Sequence, residues 1–207
     1  MVRHETPWGV WDPLTPAEVG ELLRGIEAPW WIAGGYAIEA FAGRELREHG
    51  DVDVGLLRRD QLAVQRTLDG WELHAADPPG TLRPWLPGEH LPRAIHDIWV
   101  RQDGDGPWRF QLMLDESEGE EWVFRRDTRM RRELETLTWK RDTLSYIAPE
   151  VQLLYKSKGL RAKDQVDFAA AEPVLSDRQR AWLRDALELV EPGHPWLAAL
   201  STAPPGS

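Results

Sequence analysis

Cysteine is absent from this 207-residue chain. That excludes a disulfide scaffold, a cysteine-ligated zinc site and a thiol nucleophile. Positive charge is in deficit, with 25 Lys and Arg against 35 Asp and Glu, for a formal net charge of −10. An acidic chain grips nucleic acid poorly through bulk charge, so nucleic acid is not an expected partner, although a local basic patch is allowed. No apolar run approaches the roughly 20 residues that span a bilayer, and Met1-Val2-Arg3-His4-Glu5 leads into no apolar stretch of the signal-peptide kind. The expectation is a cytoplasmic protein without a membrane partner. Phenylalanine (4), tyrosine (3) and methionine (3) are scarce, and the 12 tryptophans supply the bulk. They read first as core filler and second as a stacking platform for a ligand. Apolar residues at 42% with charged residues at 29% exclude disorder. The length allows one domain with a core, or a domain plus a helical extension.

Period and punctuation divide the chain. Residues 1–14 read as an ordered arm or a loose tail. Thr15 caps a helix, Pro16 suits its first turn and Glu18 completes a capping box; the helix is expected to reach about Glu27 before Pro29. Trp30 to Ala33 reads as a buried strand, Gly34-Gly35 as a break, and Tyr36 to Ala42 as a short helix ended by Gly43. Residues 51–57 alternate as a strand with Asp51 and Asp53 on one face. A helix from Asp60 to Leu68 and a strand from Trp71 to Ala75 follow, then a proline-rich loop over 77–92. Strands are expected over 95–100 and 108–114, joined at Asp103-Gly104-Asp105-Gly106, with a further one at 122–125. From Pro149 the period becomes helical, over 149–159, 164–171 and 177–190, the last with a Ser176/Gln179 capping box. The resulting division is an α/β domain over 1–147 including the arm, a helical region over 148–200, and a disordered tail over 201–207.

The chemistry concentrates in Ile32-Ala33-Gly34-Gly35 followed, fifteen residues on, by Asp51-Val52-Asp53. Two carboxylates at i and i+2 on a strand point the same way, about 6–7 Å apart, close enough to share a hard cation such as Mg²⁺. A Gly-Gly turn entering a helix lets backbone N–H groups approach a phosphate. Together they describe a metal–triphosphate site. Between them, Arg44, Arg47 and His49 place positive charge beside the aspartates, either to contact phosphate or to hold the carboxylates.

Trp31-Ile32-Ala33-Gly34-Gly35-Tyr36-Ala37-Ile38-Glu39, through Gly43-Arg44, Arg47, His49 and Asp51-Val52-Asp53, resembles the polymerase-β-superfamily nucleotidyltransferases, most nearly the aminoglycoside 2″-adenylyltransferase and lincosamide nucleotidyltransferase groups. Ala148-Pro149-Glu150 through Tyr155-Lys156-Ser157-Lys158, then Arg161, Lys163-Asp164 and Asp167-Phe168, is similar to their C-terminal helices. The resemblance implies an α+β fold: a small mixed sheet with flanking helices, then a helical bundle. It implies transfer of a nucleoside monophosphate, with ATP the expected donor, to a hydroxyl of a small molecule such as an antibiotic. Asp51 and Asp53 would hold Mg²⁺ (or Mn²⁺), Gly34 and Gly35 would cradle the triphosphate, and Lys156, Lys158 or Lys163 would reach phosphates. The family pattern adds a third carboxylate on a strand after a hairpin. Here registration puts Gln111 there, and a neutral amide is no general base. Three outcomes stay open: Asp97 (the first choice) or Asp115 substitutes, no protein base is needed, or catalysis is weakened. Two alternatives stand beside the transferase: a nucleotide-binding module with decayed catalysis, and a transferase acting on RNA or protein in a toxin–antitoxin setting.

Other groups read more plainly. His96 and Asp97, adjacent on a strand, are expected on opposite faces. His4, His74, His90 and His194 read as surface or turn residues. The basic stretch 125–141 reads as a solvated connector, and Glu116, Glu118, Glu120 and Glu121 as a solvated loop. The acceptor, the preferred base and the oligomeric state stay open.

Overall fold

The structure, a computed structural model, describes residues 2–201. Its strands are β1 (His4–Thr6), β2 (Gly9–Trp11), β3 (Trp30–Ile32), β4 (Asp53–Leu57), β5 (Glu72–Ala75), β6 (Arg83–Pro84), β7 (Asp97–Arg101), β8 (Trp108–Glu118), β9 (Glu121–Val123), β10 (Arg131–Glu133), β11 (Thr138–Arg141) and β12 (Leu144–Ile147). Its helices are α1 (Pro16–Leu22), α2 (Gly34–Ala42), α3 (Gln61–Thr67), α4 (Pro149–Ser157), α5 (Ala162–Ala171), α6 (Asp177–Val190) and α7 (Trp196–Leu200). The main sheet is mixed, in the order β11-β12-β3-β4-β8-β7-β5-β6. The β4–β8 and β12–β3 pairs are parallel and the other neighbours on this path antiparallel. The β1–β2 hairpin joins β8 through β2, and the β9–β10 hairpin extends the far end of β8.

Alternation gives the sheet two unlike faces. Val54, Leu56, Ile98, Val100, Phe110, Leu112 and Leu114 are buried, in one cluster with Val19 and Leu23 from α1 and its C-cap and Val64 and Leu68 from α3 and its C-cap. The other face carries Asp53, Gln111, Met113 and Asp115, and side chains of α4 and of the start of α5 reach over it.

Both capping boxes form as expected, at Thr15/Glu18 and Ser176/Gln179, and Gly43 ends α2 at φ +72. Several expectations need correction. The first helix stops at Leu22 rather than Glu27, because Gly20 and Gly25 weaken it and the chain must turn into β3. Gly34 and Gly35 are the first turn of α2, not a break before it. β4 begins at Asp53, so Asp51 lies just outside the strand. The 77–92 loop contains the two-residue strand β6, paired to β5. β8 runs to Glu118, so Glu116 is buried on a strand, 2.7 Å from the Arg58 guanidinium. The basic stretch is not a free connector: it forms β10 and β11, and Arg131 and Arg132 pair with Glu118 at 2.8 Å and Glu150 at 2.7 Å. The arm is the ordered β1–β2 hairpin. His194 is buried, its Nε2 3.2 Å from the Ser157 carbonyl oxygen, and a short α7 follows it. The last strand ends at Ile147, and from Pro149 the remaining described elements are helical, α4 to α7. Of the expected disordered tail, residues 202–207 lie outside the described residues. Among the described residues, no helix is long and apolar enough to cross a membrane.

Candidate active site

β3 delivers the chain to Gly34, whose φ of +67 is left-handed and suits glycine. A Cβ on Gly34 would collide with the Asp53 carboxylate, and one on Gly35 with the ends of Arg47 and His49. The pair therefore brings bare backbone against an acidic group and a cation. Gly34 N donates to Gln152 Oε1 at 2.7 Å, which clamps α4 to the first turn of α2. Ala33 N donates to the Asp53 carbonyl at 2.8 Å, and Gln111 N to the Val52 carbonyl at 2.9 Å. These bonds fix the aspartate segment between β3 and β8.

Asp51 and Asp53 line one cleft with Gly34, Gly35, Gln111 and Met113 from the sheet side and Gln152, Tyr155, Lys156, Arg161 and Lys163 from the helical side. Loss of water and the neighbouring Asp51 carboxylate push Asp53 up to about 7, against the pull of Lys156 and Lys163. Two like charges held this close favour a cation between them. The donor chemistry, two carboxylates with the Gln111 amide opposite, suits a hard cation. Among the described residues, no group of three or more His, Cys, Asp or Glu side chains is gathered as a metal site. Gln111 stands directly opposite Asp53 in the β4–β8 register, as the sequence registration expected.

Behind the cleft, charges are interlocked. The Lys156 ammonium lies 2.7 Å from Asp167 and 3.6 Å from Asp164, Arg47 lies 3.4 Å from Asp167, and Arg161 lies 2.7 Å from Asp164. Both aspartates are buried. Burial pushes the Asp164 carboxyl up, but Arg161 and Lys156 outweigh it and hold it below its ordinary range. At the far end, Asp115 accepts from Trp122 Nε1 at 3.1 Å and from the Tyr155 hydroxyl. Burial raises the Asp115 carboxyl. Arg125 and Arg126 lie over the Tyr155 ring, at 5.7 and 5.4 Å from its centroid.

The expected site residues divide. Gly34, Gly35, Arg47, Asp51, Asp53, Lys156 and Lys163 line the cleft. Arg44 is exposed and forms no part of it, because Gly43 turns the chain outward there. Lys158, also outside, sits exposed at the end of α4, two positions past Lys156 and therefore on another face. His49 is buried behind Gly35: its Nε2 is 2.8 Å from Glu39 Oε1, and Tyr36 stacks on its ring at 4.0 Å. Burial lowers its pKa despite Glu39, leaving a neutral ring that buttresses the turn. Glu39 also accepts from Leu46 N at 2.8 Å and Arg47 N at 3.1 Å, so it organises the whole loop. Asp97 begins β7 opposite Met113, outside the cleft lining but on the same sheet face. Its Oδ1 is buried without a hydrogen-bond partner. His96 precedes the strand, so the expected separation fails and its Nε2 reaches Asp97 Oδ2 at 3.6 Å. Sequence reasoning missed Glu39, Gln152, Tyr155 and the cleft position of Arg125 and Arg126. Gln152, Tyr155 and Lys156 were readable as an i, i+3, i+4 face of one helix.

This is a nucleotidyltransferase fold, and comparisons give it a closer setting. The sequence profile of the aminoglycoside-2''-adenylyltransferase family matches residues 17–81, the segment that carries the Gly-Gly turn and both aspartates. A lincosamide resistance protein of Staphylococcus haemolyticus is 23% identical over 146 residues, covering 66% of this chain and 79% of its own. The lincomycin-bound lincosamide antibiotic adenylyltransferase LnuA superposes with a TM-score of 0.54 at 14% identity, over 79% of this chain and 100% of that one. ANT(2")-Ia in complex with adenylyl-2"-tobramycin gives 0.54 at 12% identity, over 84% and 95%. The resemblance read from the motifs therefore holds at the level of fold and of similarity to antibiotic adenylyltransferases.

Proposed function

We propose that the protein is a Mg²⁺-dependent nucleotidyltransferase that moves a nucleoside monophosphate, with ATP as donor, to a hydroxyl of a small molecule of the antibiotic kind. The observation that carries this reading is the contact of a side-chain-free Gly34-Gly35 turn with Asp53, whose carboxyl is held high by burial and by Asp51. Asp51 and Asp53 would hold the metal, with the Gln111 carbonyl available as a neutral third donor. The metal, when bound, neutralises charge on the phosphates during displacement. The first-turn N–H groups of α2 other than that of Gly34, with the Arg47, Arg161 and Lys163 cations, receive the triphosphate. The acceptor oxygen bonds to the α-phosphorus as the α–β bridge breaks and pyrophosphate leaves. Gln111 cannot take the hydroxyl proton. Asp97, on the open side of Gln111 with a partnerless buried oxygen, takes it through an intervening water. The similarity to antibiotic adenylyltransferases supports the reaction class.

A thermal-shift series with the four nucleoside triphosphates, with and without Mg²⁺, tests the reading on wild type, Asp51→Asn and Asp53→Asn. Metal-dependent stabilisation by ATP in wild type that vanishes in both variants is expected. No stabilisation of the wild type by any triphosphate would overturn it.

A further inference from the structure

Beyond Gln111 the same face of the sheet continues past the cleft lining. Asp53 stands opposite Gln111, Gln111 opposite Trp99, and Trp99 opposite His74. Directly paired residues share a face, so these side chains form one row across β4, β8, β7 and β5. At about 4.8 Å per strand, Trp99 lies roughly 10 Å from Asp53. In this half, Gln111, Met113, Asp97 and Trp99 are half-buried, while the alternating Ile98, Val100 and Leu112 are fully buried on the other face.

The N-terminal hairpin borders that half. Val2 N donates to the His49 carbonyl at 3.1 Å, and Trp108 Nε1 donates to the Trp8 carbonyl at 2.8 Å. The hairpin is thus tied to the loop before Asp51 and to β8. Its Trp8 ring meets Trp99 at 85°, with centroids 5.8 Å apart. Trp11 and Trp108, both buried, brace Trp99 at 4.8 and 5.5 Å. Trp99 is half-buried and held in place by Trp11 and Trp108, and Trp8, 39% exposed, stands at a right angle to it.

We infer that this indole corner is the acceptor subsite, taking a hydroxyl-bearing ring such as a sugar. The ring stacks on Trp99 against Trp8, within reach of the Gln111 amide and the Asp97 carboxylate. The occupant follows from continuity with the cleft: a single residue, Gln111, separates Trp99 from Asp53, so a ring resting on Trp99 directs a hydroxyl toward the phosphorus held at Asp51 and Asp53. The inference rests on the transferase reading above.

The test is ¹⁹F NMR of 5-fluorotryptophan-labelled protein, with Trp8 and Trp99 assigned by Trp8→Phe and Trp99→Phe. Lincomycin, tobramycin and methyl α-glucopyranoside are titrated in the presence of Mg²⁺ and a non-hydrolysable ATP analogue. At least one probe is expected to shift both resonances, and Trp8→Ala to weaken that probe about five- to tenfold while the analogue binds as before. Silence of both indoles toward all three probes, or unchanged affinity in Trp8→Ala, overturns the subsite. Thermal shift by the analogue in the same samples separates the two failures. Analogue binding with silent indoles removes only the corner, whereas absent analogue binding removes the transferase reading itself.

Discussion

Gln111 faces Asp53 across the parallel β4–β8 pair, a neutral amide set against a carboxyl that its surroundings hold half-protonated near neutrality. Gln111→Asp tests what the amide does. A third carboxylate at this spot is expected to tighten Mn²⁺ or Mg²⁺ binding by on the order of tenfold, equivalent to about 1.4 kcal/mol, and to speed pyrophosphate release. Calorimetric titration with Mn²⁺ reads the first effect. Unchanged metal affinity would place Gln111 outside the coordination sphere.

Asp53 also sets a pH dependence. Its folded-state value, about 7, lies above the ordinary 3.8, so the folded protein binds more protons than the unfolded chain between those values. Stability without metal therefore falls as pH rises through that window, and the loss is complete above about 7, on the order of a few kcal/mol. Melting temperatures of wild type and Asp53→Asn across pH 4 to 8 measure it. The variant is expected to be the more stable at pH 8 and to lose the wild-type slope, and Mg²⁺ to offset the decline only in wild type.

Gly34→Ala places a side chain at φ +67 against the Asp53 carboxylate. The left-handed backbone alone costs about 1–2 kcal/mol, and displacing Asp53 is expected to abolish metal-dependent stabilisation by ATP. A Gly34→Ala protein that melts as wild type and still responds to MgATP would show that the close approach is dispensable.

Lys156→Met strands Asp164 and Asp167, leaving them to Arg161 and Arg47. Removing one partner from a buried ionic cluster costs about 3–5 kcal/mol. Urea unfolding at pH 7 is the measurement, and a loss under 1 kcal/mol would mean that the cluster is solvated. Lys158→Met, on the exposed neighbour, is expected to change little.

The parts legible in the sequence were those with local causes. Thr15 with Glu18, Ser176 with Gln179 and Gly43 carry their own capping chemistry; the Gly34-Gly35 and Asp51/Asp53 spacing marked the centre of the cleft, and the family resemblance of that segment implied the fold class. What stayed hidden depended on distant partners. Lys156 reads as a free phosphate ligand until Asp164 and Asp167 are seen around it. Glu116 reads as solvated until Arg58 arrives from another element. His49 reads as a cleft residue because nothing local shows Glu39 drawing it behind Gly35. Trp99 and Trp8 lie 91 positions apart in sequence, and no local signal joins them.

The linkage of Arg47 and Lys156 through Asp167 has a consequence for traffic. Swinging the helices away from the Gly34 turn would break the Arg47–Asp167 contact and the Gly34–Gln152 hydrogen bond while Lys156 stays with Asp167, so these two contacts are what hold the width of the slot. On the transferase and acceptor-subsite proposals, a ring seated on Trp99 would stand in the nucleotide's doorway, and the expected turnover is ordered: triphosphate first, acceptor second, with pyrophosphate leaving after the modified acceptor. Product-inhibition patterns distinguish this order from random entry.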